Sequence, residues 1–465
     1  MNSSIYKFGT ILIAVAMIAT LFFVQQKHSS TLLYKIKHEN KLNVLTRNSP
    51  TTYYIGPNGP TGFEYELAEQ FADYLGVELN IVVDNEFHQI LPAIVNDEAH
   101  IGAAGITHTK NREAFVDFGP EYTKVVSQVA YKSGQQKPET VVDLQGKQIA
   151  VVKGSSHAQM LLDHKEFFPD LNWKEYPDLS SEELMLLTSD SLIDYTIADS
   201  NELAVTRRYF PNLRVAFDLG PEQPLAWALK KSDDTSLQKA VHRFFTKVEN
   251  DGTLTHLREK YFGHVNDITP IDSHTFLKHV HERLPKYENL FKEAAFEFDQ
   301  DWRFLAAVSY QESLWNSDAV SPTGVKGLMM LTRDTAKQLK IDNRVDPHKS
   351  VHGGTEYFLS MLDKIPARIG EPDRTWMALA SYNVGFGHLE DARILTQNAG
   401  DNPDLWMDVR KYLPLLSNKK WYEKTRHGYA RGKEPVIYVQ NIRNYFDLLV
   451  WLENKGELHD MVAQN

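Results

Sequence analysis

The hydrophobic period of this chain changes once, and the change limits the folds open to it. From Lys41 to Gly263 short β-branched runs alternate with helical repeats, and from about Ile268 onward only helical spacing recurs. "KLNVLTR" and "ELNIVV" read as strands. Between them "GFEYELAEQFADYLG" sets Phe63, Leu67, Phe71, Tyr74 and Leu75 at helical spacing, with Gly76 as the stop. "HIGAAGIT", "KQIAVVKGS" and "DYTIADS" continue the strand signal. Such alternation predicts a mostly parallel sheet with helices on its faces, and ligands beyond the carboxyl ends of its strands. At 465 residues the chain exceeds what one core organises, so two or more domains follow.

Composition narrows the function classes. Hydrophobic residues make up 42% and charged residues 24%, which fits folded domains rather than disorder. A net charge of -11 argues against a nucleic-acid partner, which favours a basic field. The absence of cysteine excludes disulfides, thiol nucleophiles, thiolate-bound metal and a lipid-modified N-terminal Cys. Lys7 precedes "FGTILIAVAMIATLFFV", an uncharged run from Phe8 to Val24. This pattern fits an export signal, or an uncleaved anchor just long enough to span a bilayer. Either places the remainder outside the cytoplasm.

After Pro270 no strand–helix alternation remains, so the second half should be helices packed on helices. Pro285 interrupts the first of these repeats. His274, His279 and His281 lack the spacing of a zinc-binding helix and read as solvated. "DWRFLAAVSYQES" opens on Asp301 as N-cap, is apolar on all sides from Phe304 to Val308, and ends on Glu312-Ser313, with Pro322 and Gly324 as the stop. Leu305 and Val308 share the face of Glu312, so this acid meets an apolar setting. Such a setting raises a carboxyl pKa toward neutrality, where the group can deliver a proton. Taken alone, the stretch reads more readily as a buried Glu paired with an Arg or capping into solvent.

Two resemblances sharpen this reading. "GFEYELAEQFADYLG", "GITHTKNREAFVDFGPEY", "LQGKQIAVVKGSS", "DYTIADS" and "NDGTLTHLREKYFG" occur in the order found in periplasmic amino-acid-binding proteins. That resemblance implies a bilobed clamp. Arg112, with Thr107 upstream, would hold a ligand carboxylate, and Asp199 a ligand ammonium; Lys153 to Ser156 would present backbone N–H groups at a helix start. As an alternative, Arg112 and Asp199 are structural ion-pair residues in a domain without a ligand.

"ES" at Glu312-Ser313, "GLMML" at Gly327–Leu331, "ALASYNVG" at Ala378–Gly385, "GYARG" at Gly428–Gly432 and "YVQNI" at Tyr438–Ile442 resemble the lysozyme-like lytic transglycosylases that cut bacterial murein. That family reads G-L-M-Q where Met330 stands here. The resemblance implies one catalytic acid, Glu312, oriented by Ser313 and Tyr438. Asn383 would hold a sugar amide or hydroxyl, and Tyr382, Met329 and Met330 would form an apolar floor under the sugar rings; the two methionines read equally as core packing, and Asn383 also as a turn residue before Gly385. It implies cleavage of the β-1,4 bond between N-acetylmuramic acid and N-acetylglucosamine. The muramic 6-hydroxyl would attack in place of water and leave a 1,6-anhydro ring. Neither metal nor other cofactor is required.

The expected architecture is therefore multidomain: a bilobed α/β periplasmic-binding-protein-like domain followed by a mainly α lysozyme-like domain. Residues 1–30 would be signal or anchor, 31–267 the solute-binding-like domain and 268–465 the transglycosylase domain. Expected partners are glycan strands, an amino-acid or muropeptide ligand, and a membrane; expected location is the periplasmic face of the envelope, peripheral to the outer membrane. The competing readings are a non-enzymatic binding or sensor protein that grips the wall, and a hydrolytic muramidase.

Overall fold

A computed structural model describes residues 31–56, 59–263, 270–320, 324–456 and 458. The apolar run Phe8–Val24 lies outside them, and no helix among the described residues is long and apolar enough to cross a membrane. Two compact units divide near Leu257 and Arg258, with Arg207–Pro211 grouped in the second.

The first unit carries strands β1 (Lys41–Thr46), β2 (Tyr54–Gly56), β3 (Gly59–Thr61), β4 (Glu78–Val83), β5 (Ile101–Gly102), β6 (Val116–Val125), β7 (Ser127–Lys132), β8 (Ile149–Val152), β9 (Lys174–Tyr176), β10 (Tyr195–Asp199), β11 (Leu213–Asp218) and β12 (Gln223–Lys230). Its helices are α1 (Leu32–Glu39), α2 (Phe63–Leu75), α3 (Phe87–Val95), α4 (Ser156–Lys165), α5 (Ser181–Ser189), α6 (Ser200–Thr206) and α7 (Ser236–Asn250), and α8 (Thr253–Phe262) leads into the second unit.

Two five-stranded sheets form, ordered β4-β1-β5-β12-β6 and β11-β7-β10-β8-β9. Each is mixed rather than mostly parallel: β1 lies parallel to β4 and β5, but β12 runs antiparallel to β5 and β6. Likewise β8 lies parallel to β9 and β10, and β7 antiparallel to β10 and β11. The reason is the path of the chain. It leaves the first lobe along β6, enters the second along β7, and returns from β11 to β12. A returning strand must run opposite to a departing one.

Helix α2 follows its sequence pattern. Phe63, Leu67 and Phe71 are buried, and Gly76 caps the helix at φ 70°, a conformation Gly adopts without a Cβ penalty. Tyr74 is exposed, yet its ring still stacks on Phe71 at 6.3 Å. Phe71, Trp227 and Phe244 then close one face of the first lobe, with ring centroids 5.1–6.2 Å apart. Each such ring contributes about 2–3 kcal/mol by burial.

The second unit is helical: α9 (Pro270–Glu282), α10 (Glu288–Phe298), α11 (Trp302–Ser313), α12 (Arg333–Gln338), α13 (Pro347–Lys364), α14 (Asp373–Val384), α15 (Phe386–Ala399), α16 (Trp406–Tyr412), α17 (Lys419–Tyr422) and α18 (Lys433–Asn454). Pro285 lies in a 3-10 turn that separates α9 from α10. Asp301 caps α11 by accepting the Arg303 N–H at 2.8 Å. Residues Leu305 to Tyr310 are buried, so α11 is the central helix.

Two expectations need correction. Helix α11 stops at Ser313, well before Pro322. Leu314 and Trp315 turn left-handed at φ 53° and 55°, which folds the Trp315 indole back into the core, where its Nε1–H donates to the Ala306 carbonyl at 2.8 Å. His279 is buried rather than solvated, because its ring packs beside Tyr310 and Nδ1 lies 2.9 Å from the Tyr310 hydroxyl; His274 and His281 are exposed.

Gly354 on α13 lets Met329 approach: a Cβ there would lie 2.5 Å from the Met329 Cβ. Gly354→Leu should therefore overpack the helical unit and remove about 2–4 kcal/mol of its stability. Calorimetry should show a lower Tm for that unit, whereas Gly370→Ala, which meets open space, should leave it unchanged.

Candidate active site

Glu312 lies in the last turn of α11, where the buried helix reaches the surface. Helix α18 packs along α11 and brings Tyr438 to it. The Tyr438 hydroxyl donates to Glu312 Oε1 at 2.6 Å. Burial in this dense surround pushes the Glu312 carboxyl up to about 7, and the Tyr438 hydrogen bond pulls the other way. Burial and the nearby carboxyl also hold the Tyr438 hydroxyl well above its usual range, so it acts as a donor. No arginine enters this balance: among the described residues, burial and Tyr438 govern the Glu312 proton.

The loop Gly324–Leu331 forms one wall of this region, and side chains bind its backbone group by group. Ser309 donates to the Leu328 carbonyl at 3.2 Å. Ser350 accepts the Met329 N–H at 3.1 Å, and Tyr382 donates to the Met329 carbonyl at 2.9 Å. Arg344 donates to the carbonyls of Gly324 and Leu331 at 3.2 and 2.8 Å. Gly327 turns left-handed at φ 86° against the Arg344 carbonyl, a place no Cβ fits.

The structure brings together most of the expected residues, with contacts other than those expected for some. The Tyr382 ring stacks on Tyr438 at 6.3 Å and 15°, so both rings flank the carboxyl. The Ser313 hydroxyl donates back to the Ser309 carbonyl at 3.1 Å, the ordinary use of a helical Ser, rather than to Glu312. Met329 does not form an exposed floor: its side chain is fully buried against Gly354, and it serves the site through its carbonyl. Met330 is half-buried, with a left-handed backbone at φ 45°. Asn383 is exposed on the last turn of α14. Sequence reasoning missed Arg344 and Ser350, which lie outside every motif and act only on backbone atoms.

In the first unit, Thr107, Arg112 and Asp199 converge between the lobes. The Thr107 and Ser156 hydroxyls lie 3.1 Å apart, across the lobes. Arg112 donates to the Thr107 carbonyl at 2.8 Å and to the Gly154 carbonyl at 3.1 Å. Burial lowers its guanidinium to about 10, and Asp199 opposes that fall. Asp199 is buried 3.1 Å from His157 Nε2, a partner the sequence did not suggest. Helix α4 begins at Ser156, as the "KGSS" turn implied, with Ser155 as its N-cap. The Arg112 guanidinium stands 5.5 Å from the Phe87 ring.

Comparison with known proteins agrees with this division. Residues 42–264 match the bacterial extracellular solute-binding proteins, family 3, and residues 289–404 match the transglycosylase SLT domain. The holo structure of ArgBP from T. maritima is similar at 23% identity and a TM-score of 0.43, covering 49% of this chain and 98% of that one. A Pseudomonas fluorescens protein named membrane-bound lytic murein transglycosylase F is 46% identical, covering 93% of this chain and 89% of that one. A Hahella chejuensis protein of the same name is 44% identical, covering 98% and 89%. Both domain matches occur in the order of the two units, and the likeness runs through nearly the whole chain: it belongs to the membrane-bound lytic murein transglycosylase F family.

Proposed function

We propose that this chain is a lytic transglycosylase that cuts murein between N-acetylmuramic acid and N-acetylglucosamine without water. The observation that carries this reading is Glu312, a carboxyl raised to about 7 by burial and bonded to Tyr438. Near neutral pH such a group exists in both forms, so it can give a proton and take one back. Protonated Glu312 gives its proton to the glycosidic oxygen as the C1–O bond breaks. The substrate's acetamido group stabilises the sugar cation. The carboxylate, steadied by the Tyr438 hydroxyl, then takes the proton of the muramic 6-hydroxyl as that oxygen bonds to C1. The product is a 1,6-anhydro end, and no water is consumed. Intramolecular attack has a large entropic advantage over attack by a second molecule.

Glu312 is the catalytic residue in this reading, and Tyr438 orients it. Tyr382, Met330 and Asn383 border the glycan, while Met329 and Ser313 fix the frame. Residues 31–267 form a solute-binding domain that takes an amino-acid or muropeptide ligand through Thr107, Arg112 and Asp199, and 268–465 form the catalytic domain. Residues 1–30 direct export, and the protein works at the periplasmic face of the envelope, peripheral to the outer membrane. The relatives' description as membrane-bound supports the membrane association in that placement.

Glu312→Gln should lower murein cleavage by about 10²–10⁴-fold with the fold intact, because the amide cannot deliver the proton. Mass analysis of the wild-type digest should show muropeptides one water lighter than hydrolysed ones. Ordinary reducing ends would establish a muramidase instead, and an unaffected Gln variant would exclude Glu312 as the acid.

The protonated acid is required, so kcat/KM should fall as pH rises above about 7. Tyr438→Phe removes a bond that favours the carboxylate. A pH–rate profile should then show the alkaline limb moved to higher pH and the rate at pH 7 reduced about 10-fold.

Stability carries the same signature. The folded carboxyl is raised from about 4.5 to about 7, so ionising it costs free energy only in the fold, and stability falls as pH climbs between those values. Denaturation at pH 8 should show Glu312→Gln more stable than wild type by about 1–3 kcal/mol, with the gain gone near pH 4.5.

A further inference from the structure

A net charge of -11 gives the chain no general attraction for an anionic polymer, yet its cations are not spread evenly. Residues 419–433 hold Lys419, Lys420, Lys424, Arg426, Arg431 and Lys433 against one acid, Glu423. All six cations are exposed. Lys419 pairs with Glu423 at 3.5 Å and Arg431 with Glu434 at 3.2 Å, both between exposed side chains, where such pairs are worth little. Among the described residues no carboxylate pairs with Lys420, Lys424, Arg426 or Lys433.

The backbone under these charges is fixed. Asp391, buried on α15, accepts the N–H of Arg426 at 3.1 Å and that of His427 at 2.8 Å. The Ala430 N–H donates to the Leu416 carbonyl at 3.0 Å. Gly432 lies so close to the Leu413 carbonyl that a Cβ there would come within 1.7 Å of its oxygen. The rings of His427 and of His388, on the first turn of α15, stand 6.1 Å apart. The segment therefore meets two elements of the candidate site. Helix α15 starts three residues beyond Asn383, and α18 carries Tyr438 about 7.5 Å along its axis from Lys433.

We infer that residues 419–433 form a subsite for the free carboxylates of the peptides that murein carries on its muramic acid residues. The inference rests on the lytic reading above and adds to it the part of the substrate that is not sugar. Those peptides make murein a polyanion, and a strand seated at Glu312 brings them to the elements that this segment joins. Ammonium and guanidinium groups receive carboxylates by charge and by N–H donors, and their long stems follow a peptide whose position varies. An anionic lipid surface fits the segment less well, because apolar anchors are few. Trp421 and Tyr422 are half-buried, and of the segment's aromatic rings Tyr429 alone is exposed.

Initial-rate kinetics of the full chain on soluble murein strands test this, with their peptides present or removed by an amidase. Lys424→Glu/Arg426→Glu/Arg431→Glu should raise KM on peptide-bearing strands about tenfold while kcat stays within about twofold. On stripped strands the same variant should match the wild type. Added salt should raise the wild-type KM on peptide-bearing strands more than on stripped ones. Lys37→Glu/Lys137→Glu/Lys147→Glu makes the same charge change at exposed positions of the other unit and should leave both KM values unchanged. An unaltered KM for the first variant on peptide-bearing strands, or an equal loss of kcat/KM on both kinds of strand, would overturn the assignment and leave the lytic reading standing. An unaltered KM together with lost sedimentation on phosphatidylglycerol vesicles would assign the cations to a lipid surface instead. Cleavage of neither strand by the wild type would remove the lytic reading and this one with it.

Discussion

The proposed chemistry of the helical unit depends on one contact, a tyrosine hydroxyl 2.6 Å from a glutamic acid. Without Tyr438, burial alone would decide the state of Glu312 and favour the neutral acid. With it, the carboxylate has a hydrogen-bond donor waiting for the moment it forms. The two forms are thereby brought close in free energy, which a group that both gives and takes a proton requires. The packing of α11 on α18 keeps the two helices in the register that makes this contact. Phe276, Tyr310, Trp315 and Tyr445 form the aromatic cluster between them, with ring centroids 4.6–5.6 Å apart.

The loop Gly324–Leu331 is tied in a different way. Its backbone is held by its own turns and isolated bridges and, beyond them, by side chains. Ser309, Ser350, Tyr382 and Arg344 come from four separate stretches of chain and each bonds one or two loop atoms. A loop so tied resists displacement, because moving it leaves several buried polar groups unmatched. Tyr382 links the two halves of the site, since its hydroxyl grips this loop while its ring lies on Tyr438.

Much of this was legible in the amino-acid sequence. Helical spacing marked α2 and its Gly76 cap, and Asp301 marked the start of α11. Glu312 stood out because a charge at the end of an apolar helix needs a physical reason. The mixed sheets were hidden, because hydrophobic period reports a strand but not its direction. The early stop of α11 was hidden too, because the seat of Trp315 depends on a distant core. His279 was misjudged for the same reason: its partner, Tyr310, is remote in sequence. Met329 read equally as sugar floor and as core, and Gly354, on another helix, provides the space that buries it. Arg344 and Ser350 left no trace, since residues that bind only backbone atoms impose no pattern on the atoms they bind.

The passage from β6 to β7 has a mechanical meaning. A single residue, Val126, separates the strands that belong to different lobes, and the return path is 219–222. Ser200 holds that residue from both sides: its hydroxyl accepts the Val126 N–H at 3.1 Å, and its own N–H donates to the Val126 carbonyl at 2.8 Å. Ser200 directly follows Asp199 and lies two positions before Glu202. The pivot on which the lobes would swing is thus fastened to the same short stretch that lines the cleft. Force applied to either acid reaches the axle directly, with no lever in between.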